Sequence, residues 1–181
     1  MNRFSAKKMI VVDLYNGSYL EEQTGHEIFN LEKNPVDNKY YGYCPPRPED
    51  GITIKNFDKN AKNVIDGILV VYVKKDKYNI DREIIAFCPN ARVYRKPQFE
   101  ERLKRVIKDK NGEVKKAPYS FMSDSLYNLS DYSDKYKIRT KKYNDQMFRK
   151  QRFYGEKYPE LDKEIIKYLE KYLERIENKE E

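Results

Sequence analysis

Two apolar runs separated by a short polar stretch constrain the fold more than any other feature of this 181-residue chain. The runs span Asp66–Val73 and Arg82–Cys88, and both are rich in β-branched residues. Their length and composition favour strands over helices. They predict an antiparallel pair of central strands, 64–74 and 82–88, with Gly67 as a bulge near the start of the first. The chain is therefore expected to fold around a sheet.

Shorter patterns predict the elements around this pair. Asn111-Gly112 predicts the tight turn of a lysine-rich hairpin at about 98–122, because both residues tolerate positive φ. From Pro159 onward, apolar residues recur at helical spacing and predict an amphipathic helix. Turns are expected at 34–39 and at Pro89-Asn90. Further strands are expected at 9–12, 27–31, 40–44, 52–54, 92–95 and 137–143.

The predicted fold class is α+β. We expect a small antiparallel or mixed β-barrel over residues 1–155, which carries the basic hairpin. A C-terminal helix over residues 156–181 would pack on this barrel or on a partner.

The charge of the chain is unevenly distributed. Formal net charge is +7, and residues 95–152 hold 17 Lys and Arg against 8 Asp and Glu. Residues 156–181 hold 6 basic and 9 acidic residues. A basic block beside an acidic tail favours a polyanion as partner. The alternative is a lysine-rich surface that only contacts solvent.

The residue types argue against several classes of enzyme. His26 is the only histidine, and we interpret it as a structural hydrogen-bonding residue or, alternatively, as a polar ligand contact. The two cysteines, Cys44 and Cys88, lack metal-ligand spacing and are expected to be buried, reduced thiols. No glycine-rich phosphate loop and no apolar run of membrane-spanning length occurs. We expect a cytoplasmic, non-catalytic protein without cofactor or metal.

Aromatic residues suggest what the basic block binds. The chain has 17 tyrosines, 8 phenylalanines and no tryptophan. Rings stack on nucleobases while nearby lysines and arginines neutralise phosphates, so this combination suits nucleic acid. The alternative is that most of the rings fill the protein core.

One stretch resembles a known family. Gly25-His26-Glu27-Ile28-Phe29-Asn30, then Tyr41-Gly42-Tyr43-Cys44-Pro45-Pro46, then the paired apolar strands are similar to PUA-like small β-barrels of the EVE, YTH and SRA type. Such reader modules occur in modification-dependent restriction and other prokaryotic antiviral defence proteins. The resemblance covers residues 8–97.

The resemblance implies recognition of a modified or flipped-out base in an aromatic pocket, with DNA favoured over RNA. The implied base-pocket residues are Asn16, His26, Tyr41, Tyr43, Asp66, Tyr72, Phe87 and Tyr94. Phosphate contacts, which position the strand without reading its sequence, are then assigned to Arg47, Lys104, Arg105, Lys115, Lys116, Lys137, Arg139, Lys141 and Lys142. A larger nuclease or NTPase subunit is an expected protein partner.

Two other functions remain open from the sequence. Asp66, Lys74 and Glu83 are loosely similar to a metal-dependent nuclease centre, although Tyr72 stands where such a centre has a carboxylate. The other is a protein-interaction subunit that docks through the apolar face of the C-terminal helix.

Overall fold

The strands of the protein follow the apolar runs of the sequence. The structure is a computed structural model, and it describes residues 3–14, 29–44, 51–75, 80–108, 111–148 and 152–180. Its strands are β1 Met9–Leu14, β2 Tyr40–Gly42, β3 Val64–Lys75, β4 Arg82–Gln98, β5 Val106–Lys108, β6 Val114–Lys116, β7 Tyr119–Ser123, β8 Tyr127–Asn128, β9 Lys137–Ile138 and β10 Arg152–Tyr154. Its helices are α1 Thr140–Tyr143 and α2 Pro159–Glu180.

The main sheet is mixed, and its order is β10-β1-β3-β4-β7-β2, with β8 and β9 also paired to β4. β1 lies parallel to β3, whereas β3 and β4 are antiparallel as predicted. Within the described residues, β10 and β2 are the two ends of this order, and no pairing between them closes the sheet into a barrel. The α+β class and the C-terminal helix are confirmed.

β1 and β3 are apolar on both faces because both faces are covered. All six residues of β1 are buried, as is typical of parallel strands with layers on either side. Alternate residues divide between two core clusters, so Val11 and Val71 face one cluster while Val12 and Tyr72 face the other.

The helix α2 covers one of these clusters. Leu161, Ile165 and Leu169 are fully buried against the sheet, and Leu173 is 6% exposed. The apolar stripe that predicted the helix is therefore buried against the sheet of the same chain. This packing removes the free apolar face on which the protein-interaction hypothesis depended.

Several local predictions are confirmed. Gly67 has a φ of 76° at a register shift between β3 and β4, as expected of a bulge. Gly112 has a φ of 78° in the turn between β5 and β6, which form the predicted hairpin. The turn at 34–39 forms, and Asn38 takes the left-handed conformation there.

Other local predictions are wrong. β4 does not turn at Pro89-Asn90 but continues to Gln98. It does so because Leu69 of β3 is opposite both residues, and a bulge tolerates a proline that cannot donate to the ladder. Residues 54–56 form a 3-10 turn, so the strand expected at 52–54 is absent. Of the strand expected at 137–143, only β9 Lys137–Ile138 forms, and residues 140–143 are helical. Of the strand expected at 27–31, residues 29–31 form a turn, and 27 and 28 lie outside the described residues.

Candidate functional site

A groove opens on the surface where four separate parts of the chain meet. Its volume is about 850 Å³, within the range of about 300–1,000 Å³ that is typical of ligand sites. It is lined by Lys7 and Lys8 of the 3-10 turn Ala6–Lys8, by the segment 55–60, by Ile65 and Asp66 at the bulged start of β3, and by Glu156. Phe57 and Ile65 contribute the apolar part of the lining. We call this feature the lysine groove because Lys7, Lys8, Lys55 and Lys59 line it.

The segment 55–60 is held by hydrogen bonds of its own turns and by β10. The Phe57 amide donates to the Ile54 carbonyl at 3.0 Å, and the Asn60 amide donates to the Asp58 carboxylate at 2.8 Å. The Phe57 ring packs edge-on against Tyr154 of β10 with centroids 5.5 Å apart. The Tyr154 hydroxyl in turn accepts from the Thr53 amide at 2.9 Å. These contacts fix Lys55 and Lys59 on the exposed side of the segment.

The 3-10 turn that carries Lys7 and Lys8 is fixed by a close backbone contact. The Gly155 amide donates to the Met9 carbonyl at 2.8 Å. A Cβ at Gly155 would lie 1.8 Å from the Ala6 carbonyl oxygen, so only glycine fits where the chain passes the 3-10 turn. This contact places Lys7 and Lys8 beside the groove.

The four groove lysines are exposed and have no carboxylate within ion-pair distance among the described residues. Lys8 reaches across the bulge, and its Nζ lies 3.9 Å from the position that a Cβ on Gly67 would take. Asn56 and Asn60 add amide groups to the same lining. The groove therefore presents positive charges that the described part of the chain does not neutralise by ion pairing.

Three carboxylates also line the groove, but they are not equivalent. Asp66 is held by Arg92, whose Nε and Nη2 donate to it at 2.6 and 3.2 Å. These bonds lower the pKa of the Asp66 carboxyl. Asp58 and Glu156 have no ion pair within the described structure. Among the described residues, Asp66 is the one predicted base-pocket residue that lines the lysine groove.

Of the five other described base-pocket residues, four are divided among three core clusters. Tyr72 and Phe87 are 1% and 0% exposed and belong to different clusters, while Tyr41 and Tyr94 belong to a third. The Tyr41 hydroxyl donates to Asp37 at 2.7 Å, and burial raises the pKa of the Tyr72 hydroxyl. The structure therefore does not bring these rings together into one pocket.

Tyr43 and Tyr94 keep part of their surface exposed. The Tyr43 backbone is held by Asn30, whose Nδ2 donates to the Tyr43 carbonyl at 2.9 Å. Asn16 and His26, with Arg47 of the phosphate set, lie outside the described residues.

The predicted phosphate-binding cations mostly have partners. Lys115 pairs with Glu113 at 3.8 Å, Arg139 with Asp81 at 3.0 Å and Lys142 with Glu164 at 3.6 Å, and Lys116 pairs with Glu101. Lys137 is partly buried, whereas Lys104 and Lys141 are exposed without an ion pair in the described region.

Arg105 is a buried cation rather than a surface one. Its side chain is enclosed by the rings of Phe29, Tyr41 and Tyr119, with its Cζ 4.9–5.8 Å from their centroids. Its two Nη atoms donate to the carbonyls of Pro118 and Tyr41 at 3.1 and 2.9 Å. Burial lowers the pKa of this guanidinium to about 10. Its contacts are those of a structural residue, and only 5% of it is exposed, so the phosphate contact expected at this position stays a prediction that its burial does not favour.

The lysine groove was not predicted, and all four of its lysines lie outside the basic block at 95–152. One signal was present, because Lys55 and Lys59 have the same four-residue spacing as Asn56 and Asn60. No pattern in the sequence indicates that Lys7 and Lys8 lie beside the segment 55–60.

Comparison of the chain with protein-family models, with curated proteins and with solved structures finds no match. No helix in the described part of the chain combines the length and the apolar character needed to cross a bilayer.

Proposed function

We propose that this chain is a nucleic-acid-binding module that holds a phosphate backbone in the lysine groove. The observation that carries the proposal is the set of four exposed lysines in one concavity, without ion-pair partners among the described residues. Lysines neutralise phosphates and release condensed counterions, and this supplies most of the affinity of sequence-independent binding. Phosphate contacts of this kind position a strand without reading its sequence.

The resemblance to PUA-like readers gives this proposal a more specific form. A modified or flipped-out base would then be recognised by aromatic rings on the sheet, as part of a prokaryotic defence system. Tyr43 and Tyr94 are the described aromatic residues of the predicted set that are only partly buried. DNA is the favoured nucleic acid in this form.

Nuclease activity is less well supported by the geometry. Asp66 and Lys74 lie eight residues apart on β3, a separation of roughly 25 Å at about 3.3 Å per residue. Glu83 pairs with Lys74 at the far end from Asp66. Among the described residues, moreover, no three His, Cys, Asp or Glu side chains are grouped closely enough to hold a metal ion.

The test is fluorescence anisotropy with labelled 20-nucleotide oligomers over a range of salt concentrations. Changing Lys7, Lys8, Lys55 and Lys59 to Gln should weaken binding and reduce the salt dependence of log K. The reduction should be about 0.9 for each duplex phosphate, or about 0.7 for each single-strand phosphate, that is no longer neutralised. The matched control changes four exposed lysines that lie outside the groove and have no ion pair among the described residues, Lys74, Lys96, Lys163 and Lys167, to Gln. Both variants lose the same formal charge, so their comparison separates position from net charge. Equal affinities for the two variants would show that the groove is not the binding site.

A further inference from the structure

The hairpin β5–β6 has one exposed face of mixed chemistry. Ile107 is 8% exposed, whereas its neighbours Val106 and Lys108 are exposed, so the alternation along β5 places these two on the outer face. On β6, Lys116 is opposite Val106. Val114 is opposite Lys108 in the same pairing. Residues directly opposite each other share a face, so the outer face carries two valines and two lysines.

The two valines of this outer face are not covered by any described part of the chain. Val114 is 64% exposed, the highest value among the large apolar residues of the described structure, and Val106 is 52% exposed. They are diagonal neighbours across the hairpin, a separation of about 7–8 Å. Exposed apolar side chains that lie together and are rimmed by polar residues are typical of an interaction surface.

The charge and shape of the hairpin favour duplex DNA as the occupant of this surface. Residues 104–116 hold six basic and two acidic residues. Lys104 and Lys108 are exposed and form no ion pair among the described residues. In the described structure β5 and β6 pair only with each other, which makes them a two-stranded ribbon. Such a ribbon fits the major groove of B-DNA, which is about 12 Å wide.

The valines indicate which group in that groove is contacted. The apolar group that an unmodified base pair presents in the major groove is the C5-methyl group of thymine, and 5-methylcytosine carries a methyl group on the same ring atom. A valine side chain gains free energy by burying a methyl group, while lysines beside it neutralise phosphates. An anionic membrane would also attract the lysines, but two valines supply little of the apolar area on which membrane binding depends.

We propose that the outer face of the β5–β6 hairpin lies in the DNA major groove, with Val106 and Val114 against C5-methyl groups of pyrimidines and Lys108 on a phosphate. This inference rests on the proposed function. It adds a second contact surface, separate from the lysine groove, and the chemical group that this surface reads. A methylated cytosine would then be recognised within the duplex, without being flipped out.

The experiment measures anisotropy with two pairs of labelled 20-base-pair duplexes. In the first pair, one duplex contains thymine and the other contains uracil at every thymine position, so the pair differs only in C5-methyl groups. The second pair is a duplex of G·C pairs with unmethylated or with C5-methylated cytosine. In each pair we expect the methylated duplex to bind more tightly, by about fourfold for one buried methyl group and about 16-fold for two.

The variants Val106→Thr and Val114→Thr, made singly and together, test the role of the hairpin. Threonine keeps the β-branched shape and the preference for strands but replaces a methyl group by a hydroxyl. The double variant should bind the methylated and unmethylated duplexes equally while keeping the wild-type affinity for the uracil duplex. The matched control for each single change is Val64→Thr, at a valine that is 42% exposed at the start of β3, and it should keep the preference.

The outcomes separate this inference from the proposed function. If the wild type binds both members of each pair equally and binding depends on the groove lysines, the proposed function stands and the inference is wrong. A preference that persists in the double variant would also overturn the inference, because the methyl groups would be read elsewhere. A methyl preference that depends on the valines, in binding that does not depend on the groove lysines, would support the hairpin contact and contradict the role of the groove.

A third measurement tests the competing occupant. If the wild type, but not the double variant, binds vesicles of phosphatidylglycerol and shows no preference for methylated duplexes, the outer face contacts an anionic membrane and the inference is wrong. We expect no difference between the two proteins in vesicle binding.

Discussion

Replacing Gly155 with alanine should damage both the stability of the protein and the lysine groove. The new Cβ would lie 1.8 Å from the Ala6 carbonyl oxygen and 2.7 Å from its carbon. Both atoms belong to the backbone and cannot rotate away. The two segments must therefore separate by about 1.6 Å before the contact becomes an ordinary one.

The expected cost follows from overpacking in a rigid region. Such changes cost about 1–3 kcal/mol, which for a chain of this size corresponds to a decrease in unfolding temperature of about 2–12 °C. The displaced turn carries Lys7 and Lys8 away from Lys55 and Lys59. Affinity for a labelled oligomer should fall toward that of a Lys7→Gln, Lys8→Gln variant, measured by anisotropy under conditions where both proteins are folded.

Gly112→Ala is the matched control. Gly112 has a φ of 78°, and no atom of the described residues lies within 4 Å of its Cβ position. Alanine there meets only the cost of a left-handed conformation, about 1–2 kcal/mol, and its affinity should remain that of the wild type. An unchanged unfolding temperature for Gly155→Ala would refute the packing argument. Reduced stability with unchanged affinity would show that this contact does not place Lys7 and Lys8 for binding.

Two further predictions concern buried charges. Burial raises the pKa of Asp13 to about 6 in spite of its 2.8 Å ion pair with Arg82. The folded state therefore binds a proton at Asp13 more tightly than the unfolded state does. The free energy of unfolding should for this reason increase by about 1 kcal/mol from pH 7 to pH 5. Urea denaturation at the two pH values should show this increase reduced in Asp13→Asn and kept in Asp145→Asn, and equal pH dependence in all three proteins would contradict it. Arg105→Met should lower the free energy of unfolding by about 1–3 kcal/mol because two buried carbonyls lose their donors. The same variant should bind oligomers like the wild type where it is folded, and a selective loss of affinity would instead show that Arg105 contacts the ligand.

The elements that could be predicted from sequence are those whose signal is local. β3, β4 and α2 are long and apolar with a clear period, and Gly112 takes the positive φ that its turn requires. The continuation of β4 through Pro89 could not be predicted, because it depends on a bulge formed with Leu69. Similarly, no local pattern indicates that β1 lies parallel to β3 with β10 on its other side.

The candidate site was less predictable than the fold for a physical reason. Ion pairing and burial depend on tertiary contacts, so the sequence alone could not show that Lys116 is paired with Glu101 or that Arg105 is enclosed by rings. The lysine groove joins residues 7–8, 55–60, 65–66 and 156, which are brought together only by the folded sheet. The distribution of charge along the sequence therefore indicates the basic block but not the lysine groove.

The position of β1 in the sheet has a consequence for synthesis on the ribosome. β1 emerges before the other strands of the sheet, yet one of its neighbours, β3, begins at residue 64 and the other, β10, begins at residue 152. The helix that covers one face of β1 emerges later still. While the intervening residues are made, the nascent chain must therefore carry an apolar strand with an unpaired edge, a state that is prone to aggregation. We expect the arrival of β10 and α2 to convert this exposed intermediate into the native protein.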